Sequence, residues 1–313
     1  MRMSRSIAPL AAALALLLPL AATAQQDFSK VEIRSAELRG GTWMLTGAGG
    51  NMVASVGEDG TFLVDDQYAP LSERIAAALK ALGPQPLRFV INTHWHGDHT
   101  GGNEAFGSAG AVIVAHDNVR RRMSTDQVIA AFGREVPASP KAALPVLTFD
   151  HTATLHLNGD TVRIVHVPQA HTDGDALVKF ERANVLHMGD TWFNGGYPFI
   201  DVGSGGGIDG FIAALDRGLA LSDADTLIVP GHGKLGDRAA LQAYRDLLDT
   251  ARTRIAALKR EGKTRDAAIA AAPTAEWDAQ WGQGFIKPAQ FVGFVYDTVA
   301  GSAQGAQSHG HDH

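Results

Sequence analysis

Residues 91–103 read INTHWHGDHTGGN, with three histidines and an aspartate inside six positions. The stretch follows LRFV (87–90), an apolar run that reads as a buried strand, and precedes EAF (104–106), which reads as helix. In a strand, residues two apart share a face, so His94 and His96 are expected to point the same way as that strand ends. Asp98 and His99, in the following turn, can face a second point nearby. A first-row cation such as zinc takes imidazole nitrogen at ~2.0–2.1 Å and carboxylate oxygen at ~2.0–2.2 Å. Four such groups are too many for one open catalytic cation and too few for two, so the chain should hold further ligands downstream.

The candidates are polar residues at the ends of apolar strands. VHVPQAHTDGD places His171 in the turn after a strand, VLHMGDTW leaves a strand through Gly189 and offers Asp190, and TLIVPGHGK leaves another through Gly231 and offers His232. Between these points the chain has a regular grammar. TWMLTG (42–47), NMVASV (51–56) and TFLVDD (61–66) read as strands with the turn GEDG between the last two, followed by a helix over 71–83 and a strand over 87–93. Residues 101–123 read as helix, strand (111–115), helix; residues 124–150, with Pro137, Pro140 and Pro145, read as an irregular crossover. TLHLNGDTVRIVHV (154–167) is a hairpin about Asn158-Gly159, followed by strands over 176–180, 184–189 and 226–230, helices over 208–221 and 237–260, and a helical C-terminal stretch. Strands then helices, twice over, predict two packed sheets with helices outside.

Thr93-His94-Trp95-His96-Gly97-Asp98-His99, followed by His171, Asp190 and His232, resembles the ligand pattern of the metallo-β-lactamase superfamily, in order and spacing over about residues 40–260. FLVDDQYAP (62–70) resembles the lead into the first helix of many members. The resemblance implies an αββα four-layer sandwich and two zinc ions, with iron or manganese as other occupants. It assigns His94, His96 and His171 to one ion, Asp98, His99 and His232 to the other, and Asp190 to both. It also implies hydrolysis of an acyl bond by a hydroxide held between the ions, with Asp98 orienting it. The substrate would be a small molecule, anionic because the centre is cationic, with a cyclic amide or ester such as a β-lactam or lactone foremost. Two departures bear on a dedicated β-lactamase: Asp190 stands where the best-known zinc β-lactamases have Cys, and Phe193 where they have Lys. Thioesterases of the glyoxalase II type share Asp190 but add a larger C-terminal domain with basic residues for glutathione, for which the chain after His232 is short. Two other readings stay open, a mononuclear iron dioxygenase acting on persulfides and a non-catalytic periplasmic metal-binding accessory protein.

Composition sets outer bounds. The 313 residues open with Arg2 and Arg5, an apolar run, and ATA before Gln25, the pattern of a signal peptide cleaved after Ala24. Export to the periplasm or medium is therefore expected, with a hydrolase domain over 25–303, a disordered His-rich tail over 304–313 and no membrane anchor after processing. Losing both arginines takes the formal charge from −6 to −8, which argues against nucleic acid as a partner. No cysteine is present, so disulfides and thiolate chemistry are excluded and any metal must be held by nitrogen and oxygen.

Other residues receive plainer expectations. His156, His166 and His187 read as strand histidines, His187 with an option to brace a ligand, and His116 and His151 receive no role. Asp65 and Asp66 are placed near the site, to hold a ligand histidine or to cap a helix. The Gly-rich run 203–207 reads as a mobile loop with an apolar rim of Trp192, Phe193, Tyr197 and Phe199, where Asn194 or Tyr197 would donate to an oxyanion.

Overall fold

A computed structural model describes residues 27–300, so the expected signal peptide and His-rich tail lie outside the described residues. Strands β1 (Arg34–Glu37), β2 (Thr42–Thr46), β3 (Met52–Gly57) and β4 (Gly60–Val64) form an antiparallel meander. Helix α1 (Ser72–Leu82) crosses over to β5 (Leu87–Ile91), which lies parallel to β4. Short helices α2 (Gly97–Thr100) and α3 (Asn103–Ser108) lead to β6 (Val112–His116), parallel to β5, and then to α4 (Asp117–Met123).

The crossover over 124–150 is more ordered than its prolines suggest. It holds a hairpin of β7 (Gln127–Ile129) and β8 (Arg134–Val136), and β9 (Leu147–Phe149), which adds to the sheet beside β6. Three-residue strands are too short to show an alternation, which is why the pattern missed them.

The second sheet runs β10 (Thr152–Leu157), β11 (Asp160–His166), β12 (Ala176–Phe180), β13 (Val185–His187) and β15 (Leu227–Val229), antiparallel except for the last pair. Its first hairpin turns on Asn158 and Gly159, both at positive φ as a tight two-residue turn requires. Strand β14 (Phe193–Asn194) pairs with β16 (His232–Gly233) at the sandwich edge. Helices α5 (Ile208–Ala220), α6 (Arg238–Arg260), α7 (Arg265–Ala270), α8 (Ala275–Trp281) and α9 (Pro288–Thr298) complete the described chain.

Side-chain alternation makes these elements four layers. Val53, Val64, Ile91 and Val114 face Val162, Ile164, Val178 and Val185 between the sheets. Their neighbours Ala54, Leu63, Val90 and Ile113 point outward onto Leu71, Ile75 and Leu79 beside and on α1, and Phe106 of α3. On the far side, Leu177, Leu186 and Ile228 pack on Phe211, Leu215, Leu248 and Phe291 of α5, α6 and α9. Cover on both faces explains why β4 and β12 are buried along their whole length. Among the described residues no helix is long and apolar enough to cross a membrane.

Helix α6 starts at Asp237, whose carboxylate accepts the Ala240 N–H at 2.8 Å. Asp237→Ala is expected to lower stability by about 1 kcal/mol, seen as a lower urea midpoint at unchanged slope.

Candidate metal centre

The expected ligands lie in the turns and short elements that follow strand ends. Strand β5 ends at Ile91, so His94 and His96 lie in the following turn and not on the strand itself. Asp98 and His99 lie in α2. His171 follows β11, Asp190 follows β13, and His232 opens β16. All seven come together. Three sets have ligand atoms within 4.8 Å of one another: His94, His96 and His171; His94, His99 and Asp190; Asp98, His99 and His232. Asp190 touches both halves, with its carboxylate 3.6 Å from His171 Nε2, 3.1 Å from His99 Nε2 and 3.4 Å from His232 Nε2.

The outer nitrogens of these rings are spoken for. His96 Nε2 meets Asp201 Oδ2 at 3.0 Å, His171 Nδ1 meets the Phe199 carbonyl at 2.8 Å, and His99 Nδ1 meets Asp65 Oδ2 at 2.7 Å. A neutral imidazole that donates outward presents a bare lone pair inward. His96 Nδ1 and His171 Nε2 are then two lone pairs only 2.8 Å apart, and His99 Nε2 stands 3.3 Å from His232 Nε2. Such contacts repel unless a proton or a cation intervenes. In addition, His94 Nε2 and Asp190 Oδ1 are buried without a hydrogen-bonding partner; His99 Nε2 is close to the latter but misaligned. Buried polar atoms without partners are rare and need a reason. The residues fit divalent cations.

Charge separates the two halves. Burial lowers the pKa of His94 well below the ordinary value and that of His171 to about 4, so both are bare bases ready for a cation. Burial also works against protonation of His99 and His232, but Asp190 leads the carboxylates that outweigh it. His99 is held well above the ordinary value and His232 is raised to about 10. Asp98 and Asp190 resist burial and stay well below the usual carboxylate range because His99 and His232 face them.

The supporting shell was partly legible. Asp65, buried and at positive φ, also accepts from Thr93 N and Thr93 Oγ1, both at 2.8 Å. Asp66 instead accepts the Gly102 N–H at the α2–α3 junction. Gln67 ties down residues 48–50, and a Cβ at Gly50 would lie 2.1 Å from the His99 ring. A Cβ at Gly231 would lie 2.0 Å from Asp190 Oδ1, so the carboxylate needs glycine there. His187 braces Gly189, accepting its N–H at 3.0 Å. Asp201 and Ser204 were missed as partners: Asp201 Oδ2 holds His96 and accepts from Ser204 Oγ. Their only signal was an Asp and a Ser beside the glycines of 203–207, which invited a loop reading. That segment is a short turn with Ser204 buried, and a Cβ on Gly206 would meet the His171 carbonyl at 2.3 Å.

The aromatic rim also needs correction. Trp192 is fully buried in the core beneath α6, and the Tyr197 hydroxyl donates to Asp278 Oδ1 at 2.7 Å, so Tyr197 is not free for an oxyanion. Asn194 donates to the Lys234 carbonyl. Phe193 and Phe199 do border the centre: Phe193 lies flat on His232 at 5.5 Å and Phe199 stacks on His96 at 5.8 Å. His116 and His166 stack on each other at 3.6 Å away from the seven ligands. The centre opens into a cleft of about 420 Å³ bordered by Asp98, His232, Tyr68 and Phe132, among others.

Burial pushes the Tyr68 phenol up to about 12, and burial raises Tyr197 and Tyr244 as well. A phenol raised in the folded state contributes stability that is intact below the unfolded value of ~10 and lost as pH climbs through the folded value. Three of the four tyrosines are therefore expected to stay un-ionised in the folded chain past pH ~10, with tyrosinate absorbance appearing in step with alkaline unfolding. Smooth ionisation of all four near pH ~10 in folded protein would contradict this.

Two mixed sheets between helices, with seven candidate nitrogen and oxygen ligands gathered past strand ends of both sheets, define a metal-binding class of protein. A profile of the metallo-beta-lactamase superfamily matches residues 45–232, and the chain belongs to that superfamily. A hydroxyacylglutathione hydrolase of Polaromonas sp. is 32% identical over 163 residues, covering 51% of this chain and 53% of that protein. The chain spans a little over half the length of the curated relatives it matches first. The DIM-1 metallo-beta-lactamase shares the fold with TM-score 0.57 at 19% identity, over 71% of this chain and 100% of that one. The sec-alkylsulfatase Pisa1 of Pseudomonas sp. does so with TM-score 0.64 at 17% identity, over 85% of this chain and 50% of that one.

Proposed function

We propose that the protein is an exported metal-dependent hydrolase that opens an acyl bond in a small anionic molecule, a cyclic amide or ester foremost. The observation that carries this is the inward-facing lone-pair cluster at the floor of an open cleft. His94, His96 and His171 would hold one cation, Asp98, His99 and His232 the other, with Asp190 between, and zinc suits the donor set. Bound divalent cations supply Lewis acidity and make a water nucleophilic at neutral pH.

The chain's own groups do the rest. Asp98 borders the cleft, and its carboxylate accepts a hydrogen bond from the attacking water and fixes its direction. Tyr68 borders the same cleft and stays a neutral phenol to about pH 12, so it serves as a donor to the substrate at working pH. Phe193 and Phe199 lie near-parallel to the His232 and His96 rings and give the cleft an apolar wall beside them.

Thioester cleavage is the second reading, favoured by the identity to hydroxyacylglutathione hydrolases. The test is metal analysis of the purified protein with a panel of chromogenic β-lactam, lactone and thioester substrates, with and without chelator. Cleavage of at least one, abolished by chelation, is expected. A metal-loaded protein that cleaves none, or cleavage indifferent to chelation, overturns the reading. N-terminal sequencing of protein from a periplasmic fraction should begin at Gln25 if the chain is exported.

A further inference from the structure

We propose that Arg134 is the anion-recognising residue of the cleft, and that with Phe132 and Phe285 it selects acyl substrates carrying a carboxylate and an apolar group. This rests on the acyl-hydrolase reading and adds what that reading leaves open, the chemistry of the substrate away from the reacting bond. Among the described residues bordering the cleft, Arg134 is the only lysine or arginine. The other charged side chains there, Asp98 and Asp190, belong to the metal centre.

Arg134 is not occupied elsewhere. Arg122, earlier in the same segment, is forked on Asp173 with bonds of 2.7 and 2.8 Å. Arg134 makes no ion pair with a described residue and is exposed. Its position is fixed by the backbone: Ile129 is its partner across the β7–β8 hairpin, and Gly133, left-handed at φ 58°, turns the chain just before it. The hairpin packs on the turn that carries Asp201 and Ser204, with Val128 O 3.8 Å from the Cβ position of Gly203. The same hairpin therefore links Arg134 to the partners of His96. Tyr68, Asp98 and Arg134 border the same cleft, which puts Arg134 on the wall that leads down to the metal centre.

The apolar element is equally specific. Phe132 is 39% exposed and Phe285 74% exposed, unusual for residues of this size. Their rings lie 5.0 Å apart, and Phe132 lies 4.9 Å from Phe199, which in turn stacks on His96. The result is a continuous aromatic shelf from the metal centre to the mouth of the cleft, with one guanidinium beside it. A guanidinium keeps its charge at any working pH and offers a planar pair of donors that matches a carboxylate. An aromatic or branched apolar group on the same ligand would cover the shelf.

The experiment compares N-phenylacetylglycine with its primary carboxamide by calorimetry, using the metal-loaded full-length protein. The wild type should bind the carboxylate more tightly. Arg134→Gln should reduce that preference at least tenfold, and Arg134→Lys, which restores charge without the fork, should recover part of it. Phe132→Ala should weaken both ligands alike, and the remote surface variant Arg217→Gln should leave the preference as in wild type. A preference unchanged in Arg134→Gln means that the metal centre alone reads the carboxylate, and overturns the proposal. Lack of carboxylate binding by the wild type overturns it equally. Loss of preference in Arg134→Gln without turnover of any acyl substrate would uphold the subsite while refuting the hydrolase reading, so the two failures are distinguishable.

Discussion

Asp190→Ala is expected to lower kcat/KM by at least about a thousandfold, roughly 4 kcal/mol of transition-state stabilisation. It is the one side chain whose carboxylate comes close to imidazoles of both halves, His171 on one side and His99 and His232 on the other. Removing it leaves cations held largely by neutral rings and takes away half of the carboxylate charge that offsets them. Asp190→Asn keeps the volume but not the charge and should fall nearly as far. Asp190→Glu should give no rescue, because the carboxylate is already seated against Gly231 with no room for a further methylene. Metal content and kcat/KM on whichever substrate the panel identifies are the measurements. Activity within tenfold of wild type, at full metal content, would falsify the bridging role.

The candidate ligands were legible because metal chemistry restricts residue type and because most of them lie past the end of an apolar strand. Asp190 and His232 each follow a short apolar strand that is buried without alternation, VLH and LIV, and His94 follows the buried end of LRFVI. Two packed sheets with helices outside followed from the order of strand and helix runs, and the four-layer form from the family resemblance. What escaped reading depends on contacts between distant segments. Asp201 reaches His96 across 105 positions, and no local pattern signals that. Trp192 and Tyr197 read as rim residues because they follow a candidate ligand, yet later parts of the chain cover them: Trp192 lies against Gly236, and Tyr197 bonds Asp278 of α8 and stacks on Phe291 of α9. Strands β7 and β8, three residues each, lay inside a proline-rich crossover, and with them went any early view of Arg134. Asp65 was anticipated only as one of a pair; the structure separates it from Asp66 by turning its backbone to positive φ, which points one carboxylate at His99 and the next at Gly102.

The two proposed metal positions have separate supports, Asp65 and Asp201, and so can be weakened one at a time. Asp65 holds His99 Nδ1, and Asp201 holds His96 Nδ1's partner nitrogen, Nε2; neither carboxylate is itself placed among the ligands. A carboxylate behind a ligand histidine fixes the ring's tautomer and raises its basicity, and losing it typically costs about 10–100-fold in metal affinity or activity. Asp65→Asn should therefore weaken the Asp98, His99 and His232 position by that factor, and Asp201→Asn the His94, His96 and His171 position. Titration with a chelator of graded strength should show one of two cations leaving early in each variant, with the other close to wild type. Asp65→Asn carries an added cost, because the same carboxylate also accepts from Thr93 N and Thr93 Oγ1 in a fully buried setting. An amide can replace only part of that set, so a lower melting temperature should accompany Asp65→Asn more than Asp201→Asn, whose carboxylate serves His96 and the Ser204 turn. If both variants lost their cations together, the two positions would have to be treated as one cooperative unit, and the assignment of separate supports would be wrong.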